Sequence, residues 1–488
     1  MSGNEVANPR IGVLVVAYNA ESTLRATLDR VPVAFRERIG EVIVLDDASH
    51  DDTFAHGRAW AEQPDTPSTL IVRHTKNLGY GGNQKAAYKL ALQRGLDIVV
   101  LLHGDGQYAP EMLPEMVAPI ERGECDAVMG SRMMTKGSAR RGGMPLYKLV
   151  GNRILTRVEN ALLGAELTEF HSGYRAYSTS ALRDIPFEHN TDGFDFDTQI
   201  IVQLLHAGKR IVEIPIPTYY GDEICYVNGM RYAKDVVKDV LEYRLVTMGF
   251  GTSDWVPKPQ DYAFKDGDGS SHAVILDNMA GLPVSRVLDL GCSGGLFAAH
   301  VRSAGHEVTG VDLLEIPGVR ANTDRFVQAS LEDGIPAEVG SGFDVIVAAD
   351  VIEHLSRPGD VLRDMCRVLR PGGQVLLSVP NFAHWYPRTR TLFGLFGYDR
   401  RGILDETHLR FFTRATLRRL VRASGFDILE EQATGLPLRA ISEADGKRLR
   451  FLRKMDRALV RLRPTFFGYQ YVLRLTPHAE EEVHVEVV

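Results

Sequence analysis

Four consecutive apolar residues, Val99 to Leu102, run straight into His103, Gly104, Asp105, Gly106 and Gln107. A short apolar run without alternation suits a strand buried on both faces, and glycines on either side of Asp105 let the chain turn sharply at its exit. A carboxylate is thereby presented at the carboxyl edge of a sheet, where open α/β folds bind their ligands. A hard divalent cation bridging phosphate oxygens takes oxygen ligands such as Asp105 and Gln107. A plain β-turn rich in Gly and Asp has the same composition, so the neighbouring segments must decide.

Those neighbours repeat the pattern. Residues 11–17 and 41–45 are apolar runs, the second ending in Asp46 and Asp47, and residues 21–36 between them have helical character. This predicts a β-α-β start to a parallel sheet. Residues 69–73 predict a third strand. Asn77, Gly79, Gly81 and Gly82 predict a turn into a helix over 83–94, and residues 126–129 predict a fifth strand before Gly130, Ser131 and Arg132. Polar groups then leave successive strand ends on one side: Asp46 and Asp47, Asp105 and Gln107, Arg132. That set matches a nucleoside diphosphate, whose charge needs a cation and guanidinium partners.

A chain of 488 residues exceeds what one core supports, so two or three domains are expected. A net charge of -7 argues against a nucleic-acid binder. Cys125, Cys225, Cys292 and Cys366 lie far apart without zinc-site or disulfide spacing, which fits a reducing, cytoplasmic compartment. No apolar run approaches the roughly 18 residues of a membrane span, so membrane contact is expected to be peripheral at most, at the inner face.

Residues 249–272, rich in Gly, Pro, Asp and Ser, read as a linker. A helix over 273–279 opens a second β-α series. Residues 286–290 form a strand, Gly291 to Gly295 a glycine turn, and residues 308–311 a strand ending in Asp312. A glycine turn with an acid about 20 positions on fits a nucleotide cofactor whose ribose the acid binds. Taken alone this does not separate a nicotinamide cofactor from S-adenosylmethionine. Residues 433–463 form a basic, amphipathic helical insertion between two last strands at 426–430 and 468–475. It could pack on its domain or rest on an anionic membrane.

AYNAESTL, VIVLDDASHDDT, HTKNLGYGGNQKAA, HGDGQ and GSR, in this order and spacing, resemble the family 2 glycosyltransferases of GT-A fold, in particular the polyprenyl-phosphate type. The resemblance implies that Ala17, Tyr18, Asn19 and Glu21 lie by the nucleotide base and ribose and that Asp47 contacts the nucleotide. It also implies that Asp105 and Gln107 hold Mg²⁺ or Mn²⁺ and that Arg132 meets phosphate. EFHSGYRAYS implies Arg175 as a second phosphate partner, and GFDFDTQI puts Asp195 and Asp197 on the acceptor side. An alcohol acceptor would need one of them as general base, whereas a lipid phosphate is already anionic. An Asp-rich helix start is the duller reading of the pair. The chain departs from the family at His103, which stands in place of the first Asp of DxD, and at Asp222 and Glu223, where cations are usual.

VLDLGCSGG, GVDLL, FDVIVAADVIEHL and LRPGGQVLLSVPN resemble the class I S-adenosylmethionine-dependent methyltransferases. By this resemblance Asp289, Gly291, Ser293 and Gly295 surround the methionine part of the cofactor and Asp312 binds the ribose. Ser330 and Leu331 lie at the adenine, and Asp350 belongs to the cofactor-binding set. His354 or His408 would be the base for an acceptor hydroxyl, and residues 380–398 an acceptor-covering lid. A hydrogen-bonded structural histidine is the alternative for each.

The whole is therefore expected to be an α/β, two-domain, bifunctional enzyme. A GT-A glycosyltransferase over 9–248 and a linker over 249–272 precede a seven-stranded methyltransferase over 273–477 and an acidic tail over 478–488. The first domain would transfer a sugar, with inversion, from a UDP- or GDP-linked nucleotide-sugar to a glycan or polyprenyl-phosphate acceptor. The second would methylate oxygen of a sugar or glycan. The alternative is an inactive glycosyltransferase-like module that presents a glycan to the methyltransferase.

Overall fold

The computed structural model describes residues 9–219, 228–257, 269–436 and 447–478. Two compact units divide the chain: residues 1–247 with 253–258, and residues 248–252 with 259–488.

The first unit is built on strands β1 (Ile11–Ala17), β2 (Ile39–Asp46), β3 (Thr69–Arg73), β4 (Ile98–His103), β5 (Ala127–Ser131), β6 (Arg175–Ser178) and β7 (Ile211–Pro215). They form one sheet in the order β3-β2-β1-β4-β6-β5-β7, with β6 antiparallel to both neighbours. Helices cover both faces, so strand residues of either parity are buried. Val13, Val15, Val100 and Leu102 enter one core, while Leu14, Val99 and Leu101 enter the other. The expected helix over 21–36 is two short helices, Leu24–Asp29 and Val33–Arg36. Pro32 lacks the N–H to continue the first and caps the second. β6 and β7 are additions to the expected strands. Part of the expected linker belongs to this unit's core: Trp255 and Val256 pack with Val202 and Val246, and Trp255 Nε1 donates to Glu242 at 3.2 Å.

The second unit carries β8 (Arg286–Leu290), β9 (Glu307–Asp312), β10 (Arg325–Gln328), β11 (Phe343–Ala349), β12 (Leu369–Pro380), β13 (Phe426–Thr434) and β14 (Gln470–Pro477). The order is β10-β9-β8-β11-β12-β14-β13, with the last strand of the chain inserted antiparallel beside β12. Both sheets reverse strand order beside their first strand, between β1 and β4 and between β8 and β11. Crevices for ligands open at those points. The basic helix Lys447–Leu462 buries Val460 but leaves Phe451, Met455 and Leu462 exposed. Among the described residues no helix is long and apolar enough to cross a membrane. Asp222, Glu223, Cys225 and the acidic tail from 479 onward lie outside the described residues.

Candidate functional site

In the first unit the strand pairing sets Val16 beside His103 and Ala17 beside Asp46, which brings the three loops that follow to one edge. The loops are tied to one another. Asn19 N–H donates to Ser49 Oγ at 2.9 Å, and His50 N–H to Asn19 Oδ1 at 3.0 Å. Asp52 N–H donates to Glu21 Oε2 at 3.1 Å, and Thr23 Oγ1 to the Gly104 carbonyl at 2.7 Å. Asn19 and Ala48 hold positive φ, 48° and 58°, a strain that the ties between loops maintain. Tyr18 is exposed beside them.

Asp105 is half-buried at the exit of β4, its Oδ1 accepting the Gln107 N–H at 3.0 Å in an Asx turn for which Gly106 supplies φ of 78°. Both side chains are oxygen donors at the crevice and fit a hard cation. Asp47 is different. Its carboxylate accepts the N–H groups of Leu78 (2.7 Å) and Gly79 (3.1 Å) and so holds the glycine-rich turn in place. Burial raises its pKa against those hydrogen bonds.

That turn lies directly on the acceptor-side segment. Gly81 N–H donates to the Asp192 carbonyl at 2.8 Å, and a Cβ on Gly79 would stand 2.7 Å from that same oxygen. The glycines thus serve backbone-to-backbone packing.

Two expectations need correction. Arg175 does not face a phosphate: it is fully buried on β6 and donates to the carbonyls of Phe170 (2.8 Å), Ser172 (2.8 Å) and Asp197 (2.7 Å). Asp197 is not an available base. It is buried, accepts Tyr80 Oη at 2.8 Å and Gln84 Nε2 at 3.3 Å, and pairs with Arg175 at 3.5 Å. A buried guanidinium and a buried carboxylate need each other, and the fold brings the start of β6 against helix Phe196–His206 to pair them. Arg132 is likewise committed, to Glu169 through Nε at 2.9 Å and to the His171 carbonyl at 2.9 Å. Burial would raise the Glu169 pKa, but Arg132 holds it below the usual range. Asp195, half-buried at the start of helix Phe196–His206, has no such commitment in its carboxylate among the described residues.

Sequence reasoning missed Asp239 on helix Gly229–Thr247. Burial and nearby Asp195 push its pKa up to about 8, and Gln199 donates to it at 2.9 Å. Spacing carries no signal for it. His103 packs edge-on against Tyr80 and Tyr108, with ring centroids 5.6 and 5.1 Å away. Burial keeps its imidazole below the usual pKa, so it is neutral near pH 7.

In the second unit a cleft of about 390 Å³, partly open to solvent, is lined by residues including Asp289, Gly291, Ser293, Phe297 and Ala349. Asp289 is 4% exposed on β8, and its Oδ2 has no hydrogen-bond partner among the described residues. Burial and Asp312 push its pKa up to about 8. Gly291, Ser293 and Gly295 all hold positive φ, and a Cβ on Gly291 would stand 2.7 Å from Val351 Cγ2. An orphaned buried acid beside a turn whose Gly291 and Gly295 leave no room for a side chain fits a cofactor carrying an ammonium group. Asp312 holds the cradle from outside, accepting the N–H of Ser293 at 2.8 Å and of Leu314 at 3.1 Å.

Ser330 caps a short turn by accepting Glu332 N–H at 3.2 Å, and Leu331 is buried behind it. Asp350, with φ of 59°, accepts from Ser378 Oγ at 2.8 Å and Gln470 Nε2 at 2.7 Å, which ties the end of β11 to β12 and β14. His354 and His408 come together with ring centroids 4.8 Å apart, beside Glu353. In the expected lid, helix Trp385–Leu392 is anchored by Tyr386 and Arg390 on Asp399, while Leu392, Phe393 and Leu395 are exposed.

The two seven-stranded sheets, each reversing strand order beside its first strand, define a pair of α/β domains. The chain belongs to glycosyl transferase family 2, whose family model matches residues 12–186, and a methyltransferase domain model matches residues 263–431. An undecaprenyl-phosphate mannosyltransferase of Micrococcus luteus is 31% identical over 210 residues, 42% of this chain and 82% of that protein. A UDP-N-acetylglucosamine–dolichyl-phosphate N-acetylglucosaminyltransferase of Methanococcus voltae is 27% identical over 227 residues, 44% and 88% of the two chains. A ubiquinone biosynthesis O-methyltransferase of Pseudomonas aeruginosa is 32% identical over 117 residues, 22% of this chain; the match spans about half of that relative, 49%.

Proposed function

We propose that the protein is a bifunctional transferase. Its first unit transfers a sugar, with inversion, from a UDP- or GDP-linked donor to a polyprenyl-phosphate or glycan acceptor, and its second methylates a hydroxyl of a sugar or glycan using S-adenosylmethionine. The observation that carries the first half is the convergence of the β1, β2 and β4 loops around Asp105. Relatives that use polyprenyl phosphates support the acceptor class, and their different sugars leave the donor open.

Asp105 and Gln107 would hold Mg²⁺ or Mn²⁺, which would offset the charge of the departing nucleoside diphosphate. The loops at Tyr18–Glu21 and Asp47 would frame the nucleotide. With Asp197 engaged by Arg175, Asp195 is the acid left to take a proton from a hydroxyl acceptor, while a phosphate acceptor needs none. In the second unit the Gly291–Gly295 cradle, Asp289 and Asp312 would bind S-adenosylmethionine, which supplies a methyl group on a sulfonium. The His354–His408 pair would ionise the acceptor hydroxyl, and fixed placement of acceptor and cofactor supplies much of the rate.

The test is transfer from labelled UDP- and GDP-sugars with Mn²⁺ to a short polyprenyl phosphate or a soluble glycan, followed by labelled S-adenosylmethionine. A labelled lipid or glycan lost in Asp105→Ala is the expected result. If no nucleotide-sugar is turned over while glycans still bind and are methylated, the first unit is a binding module. The neutral, enclosed His103 is the feature that favours that second reading.

A further inference from the structure

Glu353 and His354 lie in the turn Ile352–His354 after β11, and His408 lies in the loop that follows the aromatic segment. One ligand atom from each of the three lies within 4.8 Å of the others. The two segments are fastened together, because the N–H groups of Leu409 and Arg410 both donate to the Glu353 carbonyl at 2.9 Å.

The imidazoles are oriented by their other nitrogens. His354 Nδ1 is 3.2 Å from the Thr407 carbonyl, and His408 Nδ1 is 3.3 Å from the Ile403 carbonyl. Carbonyl oxygens only accept, so Nδ1 carries the hydrogen in both rings. Thr407 Oγ1, 3.1 Å from His354 Nδ1, gives its own hydrogen to Asp405 Oδ1 at 2.7 Å and so agrees with that tautomer. Each Nε2 is left with its lone pair. Anchoring a ring through one nitrogen to present the other is the arrangement found around metal-bound histidines.

The carboxylate completes the set. Glu353 is 1% exposed, and its Oε1 is 4.0 Å from His408 Nε2, too far for a hydrogen bond. Two ligands each bound at ~2.0–2.2 Å to one ion lie ~3–4 Å apart; the Glu353–His408 pair stands at the upper end of that range, and the three atoms, within 4.8 Å of one another, would draw in slightly around an ion. Two imidazoles and one carboxylate suit a borderline transition-metal ion better than Mg²⁺ or Ca²⁺.

We propose that Glu353, His354 and His408 form a binding site for one divalent transition-metal ion such as Zn²⁺. The site stands on its own geometry; its role rests on the methyl-transfer reading above. There the ion, held by both imidazoles in place of a free histidine base, would bind the acceptor oxygen and ease its ionisation, the proton leaving to water. That oxygen would bond to the methyl carbon, and the carbon–sulfur pair would stay on sulfur to give S-adenosylhomocysteine.

The test is calorimetric titration of the chelator-stripped full chain with ZnCl₂ alone, in wild type and in Asp105→Ala, His354→Ala and His408→Ala. About one equivalent should bind to wild type and to Asp105→Ala, and both histidine variants should bind more than about tenfold more weakly. His408 is buried, whereas His354 is half-exposed, so the second variant keeps the test decisive if the first misfolds; retained S-adenosylhomocysteine binding reports the fold. Absence of uptake, uptake lost only in Asp105→Ala, or uptake unchanged in a folded His354→Ala chain would each overturn the site. If zinc binds through these residues but no hydroxyl is methylated with any metal, the site stands and the methylation reading fails.

Discussion

Replacing Asp289 with Asn should make the methyltransferase unit more stable at pH 8 and worse at binding its cofactor. The acid is buried with an orphaned Oδ2, and burial with Asp312 raises its pKa from 3.8 to about 8. In the unfolded chain it ionises near its ordinary value. Between the two values the folded state holds a proton that the unfolded state has released, so wild-type stability falls as pH rises from about 4 to about 8. A shift of ~4 units at ~1.4 kcal/mol each sets a ceiling of ~6 kcal/mol, lowered where water enters the cleft. Asn does not titrate. The stability gap between Asp289→Asn and wild type should therefore widen by up to ~1.4 kcal/mol per pH unit, or ~3–6 °C in Tm for a domain of this size. The assay is thermal unfolding of the full chain from pH 5 to 9, following the transition that S-adenosylhomocysteine shifts. Groups away from this cleft titrate alike in both proteins and cancel. A gap that stays constant with pH would refute the reasoning. In the second arm, loss of a charge-assisted bond worth ~1.5–3 kcal/mol should weaken S-adenosylhomocysteine binding by about 10- to 100-fold.

Three further outcomes are expected. Asp105→Ala should lower sugar transfer by about a hundredfold or more, since charge stabilisation by a metal ion is worth several kcal/mol, and leave methyl transfer by the same chain unchanged in a direct rate comparison. Gly173→Ala should place a Cβ 2.6 Å from His103 Cε1 and 2.8 Å from Tyr80 Oη, costing ~1–3 kcal/mol in denaturant unfolding of the first unit and weakening nucleotide binding. Arg175→Met should cost ~3–5 kcal/mol in the same unfolding experiment, because it strands the buried Asp197 carboxylate and three carbonyls.

The strands were legible where an apolar run reached four residues or more, as at β1, β2 and β4, because burial on both faces leaves an unbroken signature. β6 was not, since it is four residues long and begins with a fully buried arginine. Its charge is tolerable only because Asp197, 22 positions on, and two loop carbonyls meet it. The same limit hid the pairing of Arg132 with Glu169 and of Tyr80 with Asp197, which are 37 and 117 positions apart. Spacing along a chain reports shared faces of helices and strands, and says nothing about which distant charges meet.

The candidate sites divide along that line. Positions set by a strand end, such as Asp105 after β4 and Asp289 on β8, can be found from sequence because the strand aims them. What each acid is free to do depends on donors from elsewhere in the chain. Asp46 accepts Ser49 N–H at 3.0 Å and lies 3.3 Å from Arg73 Nε, Asp47 holds Leu78 and Gly79, and Asp197 holds Tyr80 and Gln84. Among the described residues Asp105 accepts a hydrogen bond from the Gln107 N–H within its own turn. The run of acids at the first unit's edge is thus mostly a scaffold, and its removal would be read in stability as well as in activity. Asp105 is the member whose loss should be read in chemistry with the fold intact, which makes it the sharper probe of whether this edge transfers sugar or only binds it.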